Sequence, residues 1–170
     1  MSDVESVERV IPAPPEAIFT LLADPSRHHE IDGSGTVRDA KGAPARLTLG
    51  AKFGMSMHLG IGYSMESTVI EFEEGRRIAW QTRPPNALAA KIAGGRIWRY
   101  ELEPVEGGTL VRESWDISQE RIKLFVLPAR GKTRTAMTET LERIEAVVTG
   151  GAAGGDEAHA RGAEIGRAHV

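Results

Sequence analysis

Hydrophobic positions along this chain change their period twice. Near the start, Pro12-Ala13-Pro14-Pro15-Glu16 opens a segment in which Ile18, Leu21 and Leu22 fall at i, i+3 and i+4, with Phe19 beside them. That spacing predicts a helix with one apolar face, begun by proline in its first turn and an acid at its positive end. Asp24-Pro25 ends it and can cap a second, short helix through Ser26-Arg27-His28-His29-Glu30, which Asp32-Gly33-Ser34-Gly35 closes. Near the other end, Met137, Leu141, Ile144 and Val148 are spaced by 4, 3 and 4, predicting a helix over about 132–149. Glu139 stands four residues before Arg143, the favourable order for a surface pair. Gly150-Gly151 stops this helix.

Between the helices the period is two. Strands are predicted over 4–11, 36–40, 52–60, 63–73, 77–83, 96–103 and 109–118. Glycine turns at Gly60-Ile61-Gly62, Glu74-Gly75-Arg76 and Glu106-Gly107-Gly108 separate several of them, so most of the sheet is expected to be antiparallel. Strand, two helices, about six strands and a long helix make an α+β plan. A curved antiparallel sheet of about seven strands then has to bury one face against the C-terminal helix.

The last hairpin sets its own register. A two-residue loop at Glu106-Gly107 pairs Val105 with Gly108, Leu102 with Val111, Tyr100 with Glu113, Trp98 with Trp115 and Arg96 with Ile117. The face that carries Trp98, Tyr100 and Leu102 turns inward. The other, with Ile97, Arg99, Glu101, Glu103, Leu110, Arg112, Ser114 and Asp116, reads as solvent. The earlier strands conflict. The turn around Gly75 sets Ile70 and Phe72 beside Ile78 and Trp80, whereas the Gly60–Gly62 turn aligns Phe53, Met55 and Met57 with Met65 and Val69, the opposite parity. A bulge between Tyr63 and Ile70 would reconcile the two, because one extra residue flips the facing set.

Composition narrows the class. A length of 170 residues is room for one ordinary domain, and an apolar content of 41% excludes disorder of the whole chain. The formal charge is −3 and Lys and Arg are dispersed, so no nucleic-acid partner is expected. The absence of cysteine excludes a disulfide scaffold, thiol catalysis, thiolate zinc and protein-ligated iron–sulfur clusters, and it fits a reducing cytosol. The opening MSDVESVERVIPAP has no signal-like apolar run and no stretch is long enough for a transmembrane segment, so a cytoplasmic location is expected. Residues 150–170 hold six glycines and six alanines among 21 positions and are expected to form a mobile tail after a domain over 3–149.

Candidate chemistry centres on the inner face. A gap between sheet and last helix would be lined by Phe53, Met55, Met57, Ile70, Trp80, Trp98, Tyr100, Trp115, Met137 and Leu141, aromatics and adaptable thioethers suited to an apolar ligand. The same side chains could equally fill a core. Glu113 would point inward, and apolar surroundings raise a carboxyl pKa. A catalytic reading makes Glu113 the base, Tyr100 the donor to an enolising carbonyl and Arg96 the holder of a carboxylate or phosphopantetheine-linked carbonyl. The plainer reading is a structural bond to Tyr100 or an ion pair with Arg96. Adjacent His28 and His29 diverge by about 100° on a helix and cannot share a metal from one face; either could stand at the pocket rim, but an exposed short-helix histidine is the simpler expectation. No metal and no cofactor is expected: serine-elbow, P-loop and dinucleotide strings are absent. Residues 83–91 read as a long linker, by default a plain surface loop, that could also flap over a cavity mouth. The run Ile122, Leu124, Phe125, Val126 and Leu127 could close that mouth or, if exposed, make a dimer or membrane contact.

The segments VERVIPAPPEAIFTLLADPSRHHEID, GRRIAW and WRYELEPVEGGTLVRESWDIS resemble the START-related helix-grip superfamily, abbreviated SRPBCC, and within it the polyketide cyclase/dehydrase-like branch, over about 4–148. The resemblance implies a helix-grip fold with a hydrophobic cavity between the sheet and the last helix. Across that superfamily the cavity serves lipid transfer, hormone binding, aromatic polyketide cyclisation and chaperone-activator contacts. No catalytic signature matches residue by residue. The iron of the superfamily's oxygenase branch needs a His/carboxylate cluster that this chain lacks. The implied function is binding of a hydrophobic, lipid- or polyketide-like small molecule. The alternatives are a metal-free cyclase/dehydratase-type lyase or isomerase, and a protein-interaction module. A homodimer is left open.

Overall fold

The computed structural model describes residues 2–150, except Thr36, Gly42, Gly60 and the side chains of 38–41, 55, 57–59 and 61. The tail expected after Gly150 therefore lies outside the described residues. Strand β1 (Val4–Ile11) leads into α1 (Pro15–Leu22), whose buried face is Ile18, Phe19, Leu21 and Leu22. Asp24 accepts the Ser26 backbone N–H at 3.0 Å and starts a 3-10 turn (Pro25–Arg27) that runs into α2 (His28–Ile31). Six more strands follow: β2 (Val37–Lys41), β3 (Lys52–Leu59), β4 (Ile61–Glu73), β5 (Arg77–Arg83), β6 (Arg96–Val105) and β7 (Gly108–Asp116). They form one sheet in the order β1-β7-β6-β5-β4-β3-β2, antiparallel at every pairing.

The β6–β7 register is the one expected, with Tyr100 opposite Glu113 and Trp98 opposite Trp115. The parity conflict resolves at Ile70. The β4–β5 register slips between Val69 and Glu71, so Val69 faces Trp80 and Phe72 faces Ile78 while Ile70 is the extra residue. Ser67 and Val69 are buried, but Ile70 is 37% exposed on the other side. Ile70 is thus removed from the candidate lining, because the bulge that brings Phe72 inward turns it out.

The outer face of the last hairpin is less wet than its polar composition suggests. Ile97, Ser114 and Asp116 are buried there. Ser6 and Ser114 share a hydrogen bond at 2.8 Å, and Arg99 joins Glu71 at 2.7 Å and Asp116 at 3.5 Å. Cross-strand ion pairs of this kind lay the apolar stems of long side chains over the strands between them.

The linker expected over 83–91 contains a helix, α3 (Ala87–Ile92), whose Asn86 cap accepts the N–H groups of Leu88 and Ala89 at 2.9 and 3.2 Å. The apolar run after β7 forms α4 (Lys123–Val126) and a 3-10 turn (Leu127–Ala129) before α5 (Arg130–Val148), which starts two residues earlier than the pattern predicts. Arg143 meets the Asp32 carbonyl at 2.9 Å from across the bundle.

The two halves of α5 differ. Its C-terminal half puts Leu141, Ile144, Val147 and Val148 into the core, and the helix packs on β1 and β7. Arg9–Glu145 at 2.5 Å and Arg130–Glu5 at 2.7 Å bind it to β1. Its N-terminal half, Gly131-Lys132-Thr133-Arg134-Thr135-Ala136, offers no large apolar side chain before Met137. Nothing on the helix fills the space between that half and the sheet.

Candidate functional site

That space is a cavity of about 590 Å³, within the range of small-molecule sites. Its floor is the concave side of the sheet: Met65 and Ser67 on β4, Trp80 and Thr82 on β5, Arg96, Trp98 and Tyr100 on β6, and Glu113 on β7. Ala136, Met137 and Thr140 of α5 form the roof, and His28, Ile31 and the Asp32–Ser34 loop close one side. The loop seats on the helix through Gly33. Its N–H donates to Thr140 Oγ1 at 2.9 Å, and a Cβ at that position would overlap the Ala136 carbonyl oxygen. Only glycine permits so close an approach.

An aromatic stack forms the inner wall. His28 lies nearly parallel to Trp80 with ring centres 5.0 Å apart, Phe53 meets both edge-on at 5.6 Å, and Tyr100 tilts against Trp80 at 5.6 Å. His28 is only 5% exposed, contrary to the surface position expected for it, whereas His29 is exposed. Its Nε2–H donates to the Leu22 carbonyl at 2.8 Å, the only role open to it opposite a carbonyl. Burial lowers its pKa, so the ring is neutral.

Glu113 is the chemically distinctive group. It is 2% exposed, and Tyr100 donates its hydroxyl proton to Oε1 at 2.9 Å. Oε2 has no hydrogen-bond partner among the described residues. Burial pushes the carboxyl pKa up to about 8; the Tyr100 bond opposes this and the charge of Asp32 reinforces it. Burial, and then the Glu113 charge, raise Tyr100 as well. Arg96 does not reach this carboxyl. Inward residues of a strand recur about every 6.7 Å, which sets Arg96 about 13 Å along β6 from Tyr100. Its guanidinium instead lies 3.5 Å from Glu120, which is buried and accepts the Gly94 N–H at 2.9 Å.

The lining drawn from sequence divides in three. Trp80, Trp98, Tyr100 and Met137 bound the cavity, together with Glu113 and Arg96. Phe53, Trp115 and Leu141 lie behind it in the packed core, so two tryptophans rather than three face the space. The side chains of Met55 and Met57 lie outside the described residues. Sequence reasoning missed Met65, Thr82 and Ala136, and held His28 only as the lesser alternative. For His28 a signal existed: it precedes Ile31 by three, which puts it on the one apolar face of α2.

Similarity to known proteins agrees with this architecture. Residues 4–149 match the family described as polyketide cyclase / dehydrase and lipid transport. The uncharacterized protein Rv0088 of Mycobacterium tuberculosis is 36% identical over 108 residues, a match covering 62% of this chain and 44% of that protein. Among solved structures, a protein from Arthrobacter aurescens superposes with a TM-score of 0.68 at 18% identity, over 87% of both chains. The Aha1 dimer from Colwellia psychrerythraea gives 0.60 at 17%, over 85% of this chain and 95% of that one. At such identities the structural likeness speaks for the fold. With a seven-stranded antiparallel sheet gripping one long helix and the family match running from β1 to the end of α5, the chain belongs to the polyketide cyclase/dehydrase and lipid transport family of helix-grip (SRPBCC) proteins.

Proposed function

We propose that this domain binds a hydrophobic or aromatic small molecule inside the cell, enclosed between the sheet and the N-terminal half of α5. The observation that carries the reading is a cavity of about 590 Å³ lined by Trp80, Trp98, Met65 and Met137, whose open surface is mainly apolar although polar side chains stand along it. Flat aromatic walls and thioethers suit a planar apolar guest. Ligand-dependent quenching of tryptophan emission tests it, using a panel of fatty acids, sterols, flavonoids and aromatic ketones. Saturable quenching is expected in the parent protein and in Trp115→Phe, and a strongly reduced response in the Trp80→Phe, Trp98→Phe double variant. No saturable response from any compound would refute the reading.

A second reading, catalysis of the cyclase/dehydrase kind, draws on Glu113. The pKa of about 8 makes this group an acid rather than a base at neutral pH. Tyr100 donates its proton to Glu113 rather than into the cavity. An enzymatic role would therefore use Glu113 as the proton donor to a departing or enolising oxygen. Glu113→Gln would then keep ligand affinity and abolish turnover.

A further inference from the structure

Several polar side chains along the cavity wall are already committed within the protein, Ser34 to Asp32, Thr135 to Gly131 and Thr140 to Ala136. The Ser67 and Thr82 hydroxyls bond each other at 2.9 Å, and His28 Nε2–H is committed to Leu22. Arg96 and Glu120 face each other, which accounts for the other two unbonded buried side-chain atoms among the described residues. Among the buried side-chain atoms of the described residues, Glu113 Oε2 alone has neither a hydrogen bond nor an opposite charge beside it.

The protonation of this oxygen follows from its surroundings. No cation of the wall pairs with Glu113. Arg96 is held by Glu120, and Lys132 and Glu139 stand exposed at the α5 edge. Asp32 across the cavity adds a like charge, while Tyr100 and His28 are neutral. An ionised Glu113 would be an uncompensated buried charge, far costlier than the acid. Oε1 accepts from the Tyr100 hydroxyl, so the acid proton resides on Oε2 and needs an acceptor.

We propose that the cavity selects guests carrying an uncharged acceptor oxygen, a ketone or quinone carbonyl on an apolar ring system, which takes the hydrogen bond that Glu113 Oε2 leaves unmade. A carbonyl needs only that one donor. A carboxylate guest would have to leave water and set a second negative charge near that of Asp32. The inference rests on the binding reading above and names the chemistry of the guest.

Fluorenone and fluorene, the same tricyclic frame with and without the carbonyl, separate the two ideas by equilibrium dialysis. At about pH 6 the parent protein should bind fluorenone about tenfold more tightly than fluorene, the factor that one net hydrogen bond supplies. The preference should vanish at about pH 10, where Glu113 is ionised. Glu113→Gln should retain it at both pH values, since the amide still accepts from Tyr100 and still donates. Glu113→Leu should bind the two compounds equally. Equal binding by the parent protein at the lower pH, or a preference that survives in Glu113→Leu, overturns the inference and leaves the binding reading standing. If the leucine variant does not fold, the glutamine pH profile decides: a preference lost at high pH in that variant also overturns it. Failure of both compounds to bind the parent protein overturns the inference as well, while the binding reading stands or falls on the wider panel.

Discussion

Glu113 carries its proton at neutral pH because burial disfavours the carboxylate more than the Tyr100 bond favours it. The same shift enters folding. The carboxyl titrates at its ordinary 4.5 when unfolded and at about 8 in the cavity, so across that interval the folded protein holds a proton the unfolded chain has released. Stability from this group is complete below the lower value and declines as pH rises to the upper one, by up to about 1.4 kcal/mol per pH unit. Urea unfolding near pH 5 and near pH 8 should show the decline in the parent protein, and Glu113→Gln should remove Glu113's share of it. The Tyr100–Glu113 pair was legible in the sequence because a two-residue loop fixes the register of β6 and β7. The partner of Arg96 was not. Glu120 comes from the irregular chain after β7, where no periodicity says which way a side chain turns.

At the scale of elements, alternation alone could not decide which way β4 faces. Each of its turns implied a parity, the two disagreed, and only an extra residue satisfies both. Facing can be tested by paired substitutions. Val69→Ala should cost about 1–3 kcal/mol through the void it leaves, while Ile70→Ala should stay within about 0.5 kcal/mol. Chemical denaturation of the two variants checks this. Helix α3 was hidden by its brevity and by Pro84-Pro85 ahead of it, since six residues give too little periodicity to read and the Asn86 cap is a weak signal alone. The core half of α5 was plain from Leu141, Ile144 and Val148. The opening beside its N-terminal half was not read from sequence, although residues 131–136 bring no large apolar side chain to the sheet.

At the scale of the whole molecule, the cavity depends on how α2 and its loop meet α5. Gly33→Ala should prise the loop from the helix, lower the melting temperature by several degrees and weaken capture of any guest. The apolar run after β7 neither plugs the mouth nor joins the core throughout. Leu124 and Phe125 are 82% and 81% exposed, while Val126 and Leu127 pack inward. A Leu124→Ser, Phe125→Ser double variant should therefore keep the parent melting temperature within about 2 °C, whereas Leu127→Ser should lower it. Differential scanning calorimetry separates the two. Among the described residues no helix is long and apolar enough to cross a membrane.

The bulge at Ile70 also bears on how such a domain diversifies. The thirteen residues of β4 are two half-strands in opposite phase. Sliding the extra residue two places toward the hairpin with β3 would retire Val69 to solvent and bring Ile70 inside. A guest would then meet a different surface although no side chain had been replaced. Descendants of this fold could acquire new chemical tastes through a shift of spacing along one strand, a change that site-by-site comparison of lining residues would not register.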